Sequence, residues 1–179
     1  MKNKNTILIN GDICVMMLYN KNKEIITTTT FNVWHLNKVK DYRWRKKVDK
    51  RTGTIYVISH TQEKGQKRTT KSLHSLILKT KKGMVTDHID RNGLNNVDSN
   101  LRMCTINQNL YNQIIRKDNT SGYKGVTFVK RIKKWKAQIR HNNKRQYLGL
   151  FNSAKQAAIC YNKKAIELHG EFACVNKNI

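Results

Sequence analysis

Residues 84–109, Met84-Val85-Thr86-Asp87-His88-Ile89-Asp90-Arg91-Asn92-Gly93-Leu94-Asn95-Asn96-Val97-Asp98-Ser99-Asn100-Leu101-Arg102-Met103-Cys104-Thr105-Ile106-Asn107-Gln108-Asn109, decide how this chain is read. Met84–Thr86 has strand character and leads into Asp87-His88. A polar, Asn-rich loop follows, and Asn100–Met103 reads as the returning strand. Thr105-x-x-Gln108 has capping-box spacing, in which the hydroxyl takes the N–H three residues on and the Gln side chain returns a bond to the cap. A helix therefore opens at residue 106, with Ile106, Leu110 and Ile114 as its apolar stripe. Leu73, Leu76 and Ile77 fall at helical spacing just upstream. The segment predicts a short helix, then strand, long loop, strand and helix.

This segment also holds the residues suited to chemistry. Phosphodiester hydrolysis needs a base to activate water and a cation to stabilise the departing 3′-oxygen. His88 supplies a base beside the carboxylate of Asp87, and Asn109 falls in the first turn of the helix, on or near the face expected to pack toward the hairpin. A carboxylate and an amide oxygen suit Mg²⁺ or Mn²⁺ better than zinc. Cys14, Cys104, Cys160 and Cys174 are scattered with no C-x-x-C pair, so free thiols are expected, with no structural zinc and no disulfide framework.

Toward the N-terminus the chain reads as β-structure. Ile7 and Ile9, then Ile13, Val15 and Met17, alternate with period two, and Thr54–Ile58 is a second strand-like run. Trp34, Trp44 and Tyr56 are expected as core aromatics, with base stacking as their alternative use. Toward the C-terminus, Asn119-Thr120-Ser121-Gly122 marks a turn or linker. Strands are expected over 123–129, 134–141 and 144–151, with Asn142-Asn143 as the turn between the last two. Ser153-x-x-Gln156 opens a helix whose stripe is Ala157, Ala158, Tyr161, Ala165 and Leu168, ending at Gly170. The fold class is α+β in three segments: 1–72, a basic β-region; 73–117, the strand–loop–strand–helix core; and 118–179, a three-stranded antiparallel sheet packed on one helix.

Charge names the partner. The 179 residues carry 36 Lys and Arg against 11 Asp and Glu, a net +25. So large a charge on a short chain opposes compaction unless a polyanion screens it, and nucleic acid is the commonest such partner. Residues 1–72 hold 16 basic and 5 acidic side chains, 73–117 hold 7 and 3, and 118–179 hold 13 and 3, so the middle is least basic. A catalytic segment between two DNA-gripping segments has this profile. No apolar run approaches the roughly 18 residues of a membrane span, and no signal peptide is evident, so a cytoplasmic protein is expected.

Asp87-His88-Ile89-Asp90, Asn95, Asn100-Leu101-Arg102 and Gln108-Asn109 closely resemble, in order and spacing, the HNH (ββα-metal) nucleases. The nearest group is the phage and intron homing endonucleases whose third motif residue is Asn. The resemblance covers about residues 73–115. It implies His88 as general base, Asp87 and Asn109 as ligands of one Mg²⁺ or Mn²⁺ per active site, and Asn100 as the residue tying the loop across the hairpin. Arg102 is placed near the cut strand, on a phosphate or in solvent. His74 matches a histidine of the preceding helix in this group, assisting at the scissile phosphate or serving structurally; Ser75 stands where the family often has Arg. Asp90 orients His88 or is a loop carboxylate.

Ser121-Gly122-Tyr123-Lys124-Gly125-Val126, Lys134–Arg140, Tyr147-Leu148-Gly149 and Gly170–Ala173 resemble a second family, the APETALA-type DNA-binding domain of plant ethylene-response factors, also found fused to phage HNH endonucleases. That family lays its sheet in the major groove. Strand parity puts Gln138, Arg140, Arg145 and Tyr147 on the helix-free face, with Lys124 and Thr127 from the first strand; Trp135 has core parity. The family commonly has Arg at the positions of Lys124 and Thr127 and Glu at that of Gln138, so a different target sequence is expected.

Together these readings predict a metal-dependent endonuclease acting on double-stranded DNA, monomeric on its substrate and nicking one strand, phage-encoded in a bacterial host. The rival is a sequence-specific DNA-binding regulator with an inactive nuclease core. A general RNA-binding protein ranks below both, since the chain lacks the aromatic-studded ribonucleoprotein motif and any Arg-Gly tract.

Overall fold

The computed structural model describes residues 5–61 and 67–179. The parts of the expected N-terminal DNA-contact region formed by residues 1–4 and 62–66 lie outside the described residues. The chain is mixed α+β with several small sheets and divides into two compact units, one ending at Cys104 and one running from Thr105 to Ile179.

In the first unit β1 (Ile7–Asn10), β2 (Ile13–Tyr19) and β3 (Ile25–Asn32) form an antiparallel meander. The period-two reading of β2 holds, but the buried parity is the other one. Cys14, Met16 and Leu18 are fully buried, whereas Ile13, Val15 and Met17 are half-buried. Both parities of Ile-Cys-Val-Met-Met-Leu are apolar, so alternation alone could not choose a face. Ile9 is exposed.

A short helix α1 (Leu36–Val39) leads to a second antiparallel sheet of β4 (Trp44–Val48), β5 (Ile55–Thr61) and β6 (Thr69–Ser72). Helix α2 (Leu73–Ile77) follows, then β7 (Met84–His88), β8 (Asn95–Asn96) and β9 (Leu101–Thr105). β7 and β9 pair as a two-stranded sheet, while β8, inside their connecting loop, joins the first sheet in parallel beside β3. One core gathers Met16, Leu18, Phe31, Trp44, Leu73 and Leu101, crossing the point between residues 72 and 73 where the charge pattern changes.

Of the expected core aromatics only Trp44 is fully enclosed, with its Nε1 donating to the Val39 carbonyl at 3.0 Å. Trp34 is a correction: it is 57% exposed, pinned by an Nε1 bond of 2.8 Å to Asp98 Oδ2. A polar partner at the surface fixes the indole where core packing does not. Tyr56 is half-buried and lies against His74 and His88.

The second unit opens on α3 (Ile106–Asn112). Its capping box forms, with Gln108 N donating to Thr105 Oγ1 at 3.2 Å and Thr105 N to Gln108 Oε1 at 2.8 Å. The expected apolar stripe does not pack: Ile106, Leu110 and Ile114 are exposed, and Ile114 lies beyond the helix. Helix α3 is held instead by Tyr111, whose ring lies parallel to that of His169 at 3.8 Å and 4°. The sheet of β10 (Val126–Val129), β11 (Lys134–His141) and β12 (Lys144–Phe151) then packs on α4 (Ala154–His169). Ala157, Ala158, Tyr161 and Ala165 of α4 are buried against Val126, Ala137 and Ile139, with Leu168 alongside. Asn142 and Asn143 take positive φ in the turn between β11 and β12, as their pairing predicts. β10 starts three residues later than expected. Gly125 at φ +77° lies so close to Tyr161 that a Cβ there would stand 2.1 Å from the ring, and this glycine turn ends extended pairing.

Gly93 is as tightly placed in the first unit: a Cβ would stand 2.2 Å from the Ile55 carbonyl oxygen and 2.8 Å from the Tyr56 ring. Gly93→Ala is therefore expected to destabilise the first unit by about 1–3 kcal/mol. Denaturant unfolding followed by Trp44 fluorescence measures it; an unchanged midpoint refutes this packing.

Candidate active site and nucleic-acid interface

Five of the expected site residues come together in the first unit. β7 ends on Asp87 and His88, both buried, because Thr86–His88 is the enclosed end of the strand. Across the two-stranded sheet Arg102 places Nε and Nη2 each 3.0 Å from Asp87 Oδ2, an ion pair with both side chains largely enclosed. Arg102 is thus engaged with Asp87 inside the protein and largely withdrawn from solvent. Asn100 ties the loop: its Nδ2 donates to Asp90 Oδ1 and to the Asn95 carbonyl, both at 2.8 Å, and its Oδ1 accepts from Asp90 N at 2.9 Å. Asp90 therefore faces Asn100, Asn92 and Asn95. Burial pushes its carboxyl up, but bonds from Asn92 N and the Asn95 and Asn100 amides outweigh this and hold it below the ordinary range.

His74, from α2, meets His88 edge-on with ring centroids 5.0 Å apart, and Tyr56 lies 5.9 Å from His74 and 6.1 Å from His88. Burial pushes His74 down to about 3, with the neighbouring His88 adding to the shift. Burial also lowers His88, outweighing the Asn96 bond and the charges of Asp90 and Asp87 that favour its cation. The pair thus presents two neutral imidazoles, the form in which a histidine can accept a proton. Burial, then the charges of Asp49 and Asp87, raises the Tyr56 phenol.

Asn109 stands on α3 in the second unit, half-buried. In the same unit the strand register sets Gln138 against Tyr147 and Arg140 against Arg145, on the parity opposite the buried Ala137 and Ile139. Arg140, Arg145 and Tyr147 are exposed, as is Thr127, and Gln138 is half-buried. Lys124 departs from its expected placement. It precedes β10, and its Nζ donates to the Tyr111 and Gln113 carbonyls at 2.7 and 2.6 Å, capping the C-terminal end of α3.

Sequence reasoning missed two sets of residues. Asn96, fully buried, bonds His88, and Thr29 bonds Asn96. Tyr111, His141 and His169 form a stack that anchors α3. Asn96 carried a signal, being one of the many Asn of the loop, but nothing in the sequence pairs it with Thr29.

Comparison with known proteins gives three partial likenesses. Over 107 residues the chain is 38% identical to an HNH endonuclease, named as uncharacterized, of Acanthamoeba polyphaga mimivirus, covering 59% of this chain and 54% of that protein. Over 92 residues it is 35% identical to protein 3.8 of Escherichia phage T7, covering 51% of this chain and 75% of that protein. The chain belongs to the family of T7 protein 3.8. It is also 38% identical over 63 residues to APETALA2-like protein 2 of Oryza sativa, 35% of this chain and 14% of that one. The chain thus spans about half the length of the mimivirus relative and a small part of the rice protein. No family model and no solved structure matches it. No helix among the described residues is long and apolar enough to cross a membrane.

The depressed His74 gives a pH prediction. Its folded value lies below the ordinary 6.5, so an unfolded chain takes up a proton that the folded one refuses. Stability is then unaffected above about pH 6.5 and falls as pH drops from there toward 3. His74→Asn is expected to flatten this acid slope, read as denaturation midpoint against pH; an unchanged slope removes His74 as its source.

Proposed function

We propose that this chain is a metal-dependent HNH-type DNA endonuclease, with its nuclease core in residues 73–117 and an ethylene-response-factor-type DNA reader in residues 118–179. The observation that carries the reading is the placement, at one strand end, of a buried carboxylate, Asp87, beside a His88 imidazole kept neutral by burial. The names of the mimivirus and rice relatives support the two halves.

His88 takes a proton from the water that attacks phosphorus, the P–O3′ bond breaks, and the product carries a 5′-phosphate. Asp87 would hold Mg²⁺ or Mn²⁺ through a hard carboxylate oxygen, and Arg102 orients that carboxylate by bonding Oδ2. When bound, the ion stabilises negative charge on the leaving 3′-oxygen. Asn100 keeps the loop closed beneath His88. Gln138, Arg140, Arg145, Tyr147 and Thr127 face the duplex, with arginine suited to guanine edges and phosphates. One core serves one strand, so a monomer nicks.

A second reading, a DNA-binding regulator with an inert core, is favoured by one observation: the Arg102 guanidinium already neutralises the carboxylate that would hold the metal. Supercoiled plasmid carrying genomic DNA of the source decides between them, with Mg²⁺ or EDTA and with wild type or His88→Ala. The expected result is metal-dependent open circles, reduced by on the order of a hundredfold or more in the variant. Binding without cleavage by the wild type selects the second reading.

The reading face has its own test. Arg140→Ala and Arg145→Ala are each expected to weaken duplex binding and to lower the slope of log affinity against log salt by about 1 for each phosphate the arginine neutralises. Anisotropy titrations across a salt series measure both; unchanged affinity removes the sheet from the interface.

A further inference from the structure

A neutral imidazole has one proton and one basic lone pair, and a partner at either nitrogen decides which is where. At Nε2 of His88 that partner is Asn96. The Asn96 Nδ2 lies 3.3 Å from the Gly93 carbonyl and 2.9 Å from Thr29 Oγ1. A main-chain carbonyl only accepts, so the NH₂ end of the amide faces Gly93. The Thr29 hydroxyl gives its own proton to the Leu94 carbonyl at 2.6 Å, so toward Asn96 it accepts. Both contacts turn the amide oxygen to His88, with Oδ1 3.1 Å from Nε2. An amide oxygen accepts, so Nε2 carries the proton and the lone pair of the neutral ring resides on Nδ1.

We propose that Asn96, oriented by Thr29, is a positioning residue that fixes His88 in the Nε2–H tautomer and so makes Nδ1 the atom that takes the proton from water. This rests on His88 being the general base. The three side chains are buried, with Thr29 and Asn96 at 1% and 0% exposure, so water does not compete for these bonds. The backbone delivers them: β8 runs parallel to β3 with Thr30 opposite Asn95 and Phe31 opposite Asn96. Nε2 is a donor in both the neutral and the cationic ring, so proton uptake at Nδ1 leaves the Asn96 bond intact. The N-terminal sheet thereby takes part in the chemistry of the hairpin without touching substrate.

Long-range ¹⁵N–¹H histidine spectra of the full chain, metal-free and at neutral pH, read the tautomer directly. Nicking kinetics and DNA affinity are measured on the same proteins: wild type, Asn96→Leu, Thr29→Val and Thr29→Ser. The wild type is expected as a single Nε2–H form. Asn96→Leu and Thr29→Val are expected to populate Nδ1–H and to lower kcat for nicking by about tenfold to a hundredfold, with DNA affinity within about twofold of wild type. Thr29→Ser, which keeps the hydroxyl, retains both tautomer and rate. Should Asn96→Leu fail to fold, Thr29→Val and Thr29→Ser carry the comparison. A wild-type Nδ1–H ring, or an unmoved tautomer in Thr29→Val beside wild-type nicking that depends on His88, overturns this inference alone. A wild type that shows the tautomer but never nicks overturns the nuclease reading and, with it, any part for Asn96 in catalysis.

Discussion

Two residues of parallel pairing carry the loop of the candidate site into the N-terminal sheet. Asn95 and Asn96 lie in the loop between the two strands of the hairpin, yet their backbone joins the N-terminal sheet beside Thr30 and Phe31. Without that pairing the loop would depend on side-chain bonds, its own and those that Asn32, Trp34 and His35 make to Asp98, and polar bonds at a surface gain little net energy each. With it, Gly93 is pressed against Ile55 and Tyr56, Leu94 accepts from Thr30 N, and Asn96 is carried into the core. The position of His88 follows from this, because its ring lies between Asn96, His74 and Tyr56.

The electrostatics of the site run against those of the chain. A net charge of +25 draws the protein to a polyanion, but the hairpin keeps its imidazoles neutral and its buried carboxylate, Asp87, beside an arginine. These are separate tasks. Long-range attraction depends on exposed charge and weakens with salt, whereas the protonation of His74 and His88 is set by desolvation over a few ångströms and is screened little. Exposed charge and the protonation of these enclosed imidazoles therefore respond to different conditions.

The α+β class, the strand–loop–strand–helix order and the register of the C-terminal sheet were legible because each rests on local signals: a capping box at Thr105, an N-cap at Ser153, an Asn-Asn turn, and alternation in Lys134–His141. What was not legible depended on partners distant in sequence. β2 is apolar on both parities, so the face is chosen by the core that Phe31, Trp44, Leu73 and Leu101 supply, toward which Met16 and Leu18 turn. Trp34 is claimed at the surface by Asp98, 64 residues away. Asn96 looks like any other loop amide until Thr29 is beside it, 67 residues away. The motif residues were readable by type and spacing, but the groups that orient them were not, since orientation is a tertiary property.

The basic side chains divide in the same way. Residue type and spacing point both Lys124 and Arg102 toward DNA, yet both are engaged by the protein itself, one on the last carbonyls of α3 and the other on Asp87. Each meets a concentration of negative charge that the fold creates, a helix C-terminus and a buried carboxylate, where a cation is worth more than on an open surface. Arg140 and Arg145 are paired across β11 and β12 on the face that α4 does not cover, so among the described residues no such internal acceptor competes for them through the sheet. Arg145 and Tyr147, two residues apart in β12, share the open side by ordinary alternation, and the extra residue Leu148, where the register steps from Gln138–Tyr147 to Ala137–Gly149, packs with the core beneath α4. Which cations remain for a polyanion is therefore decided by sheet parity more than by their number.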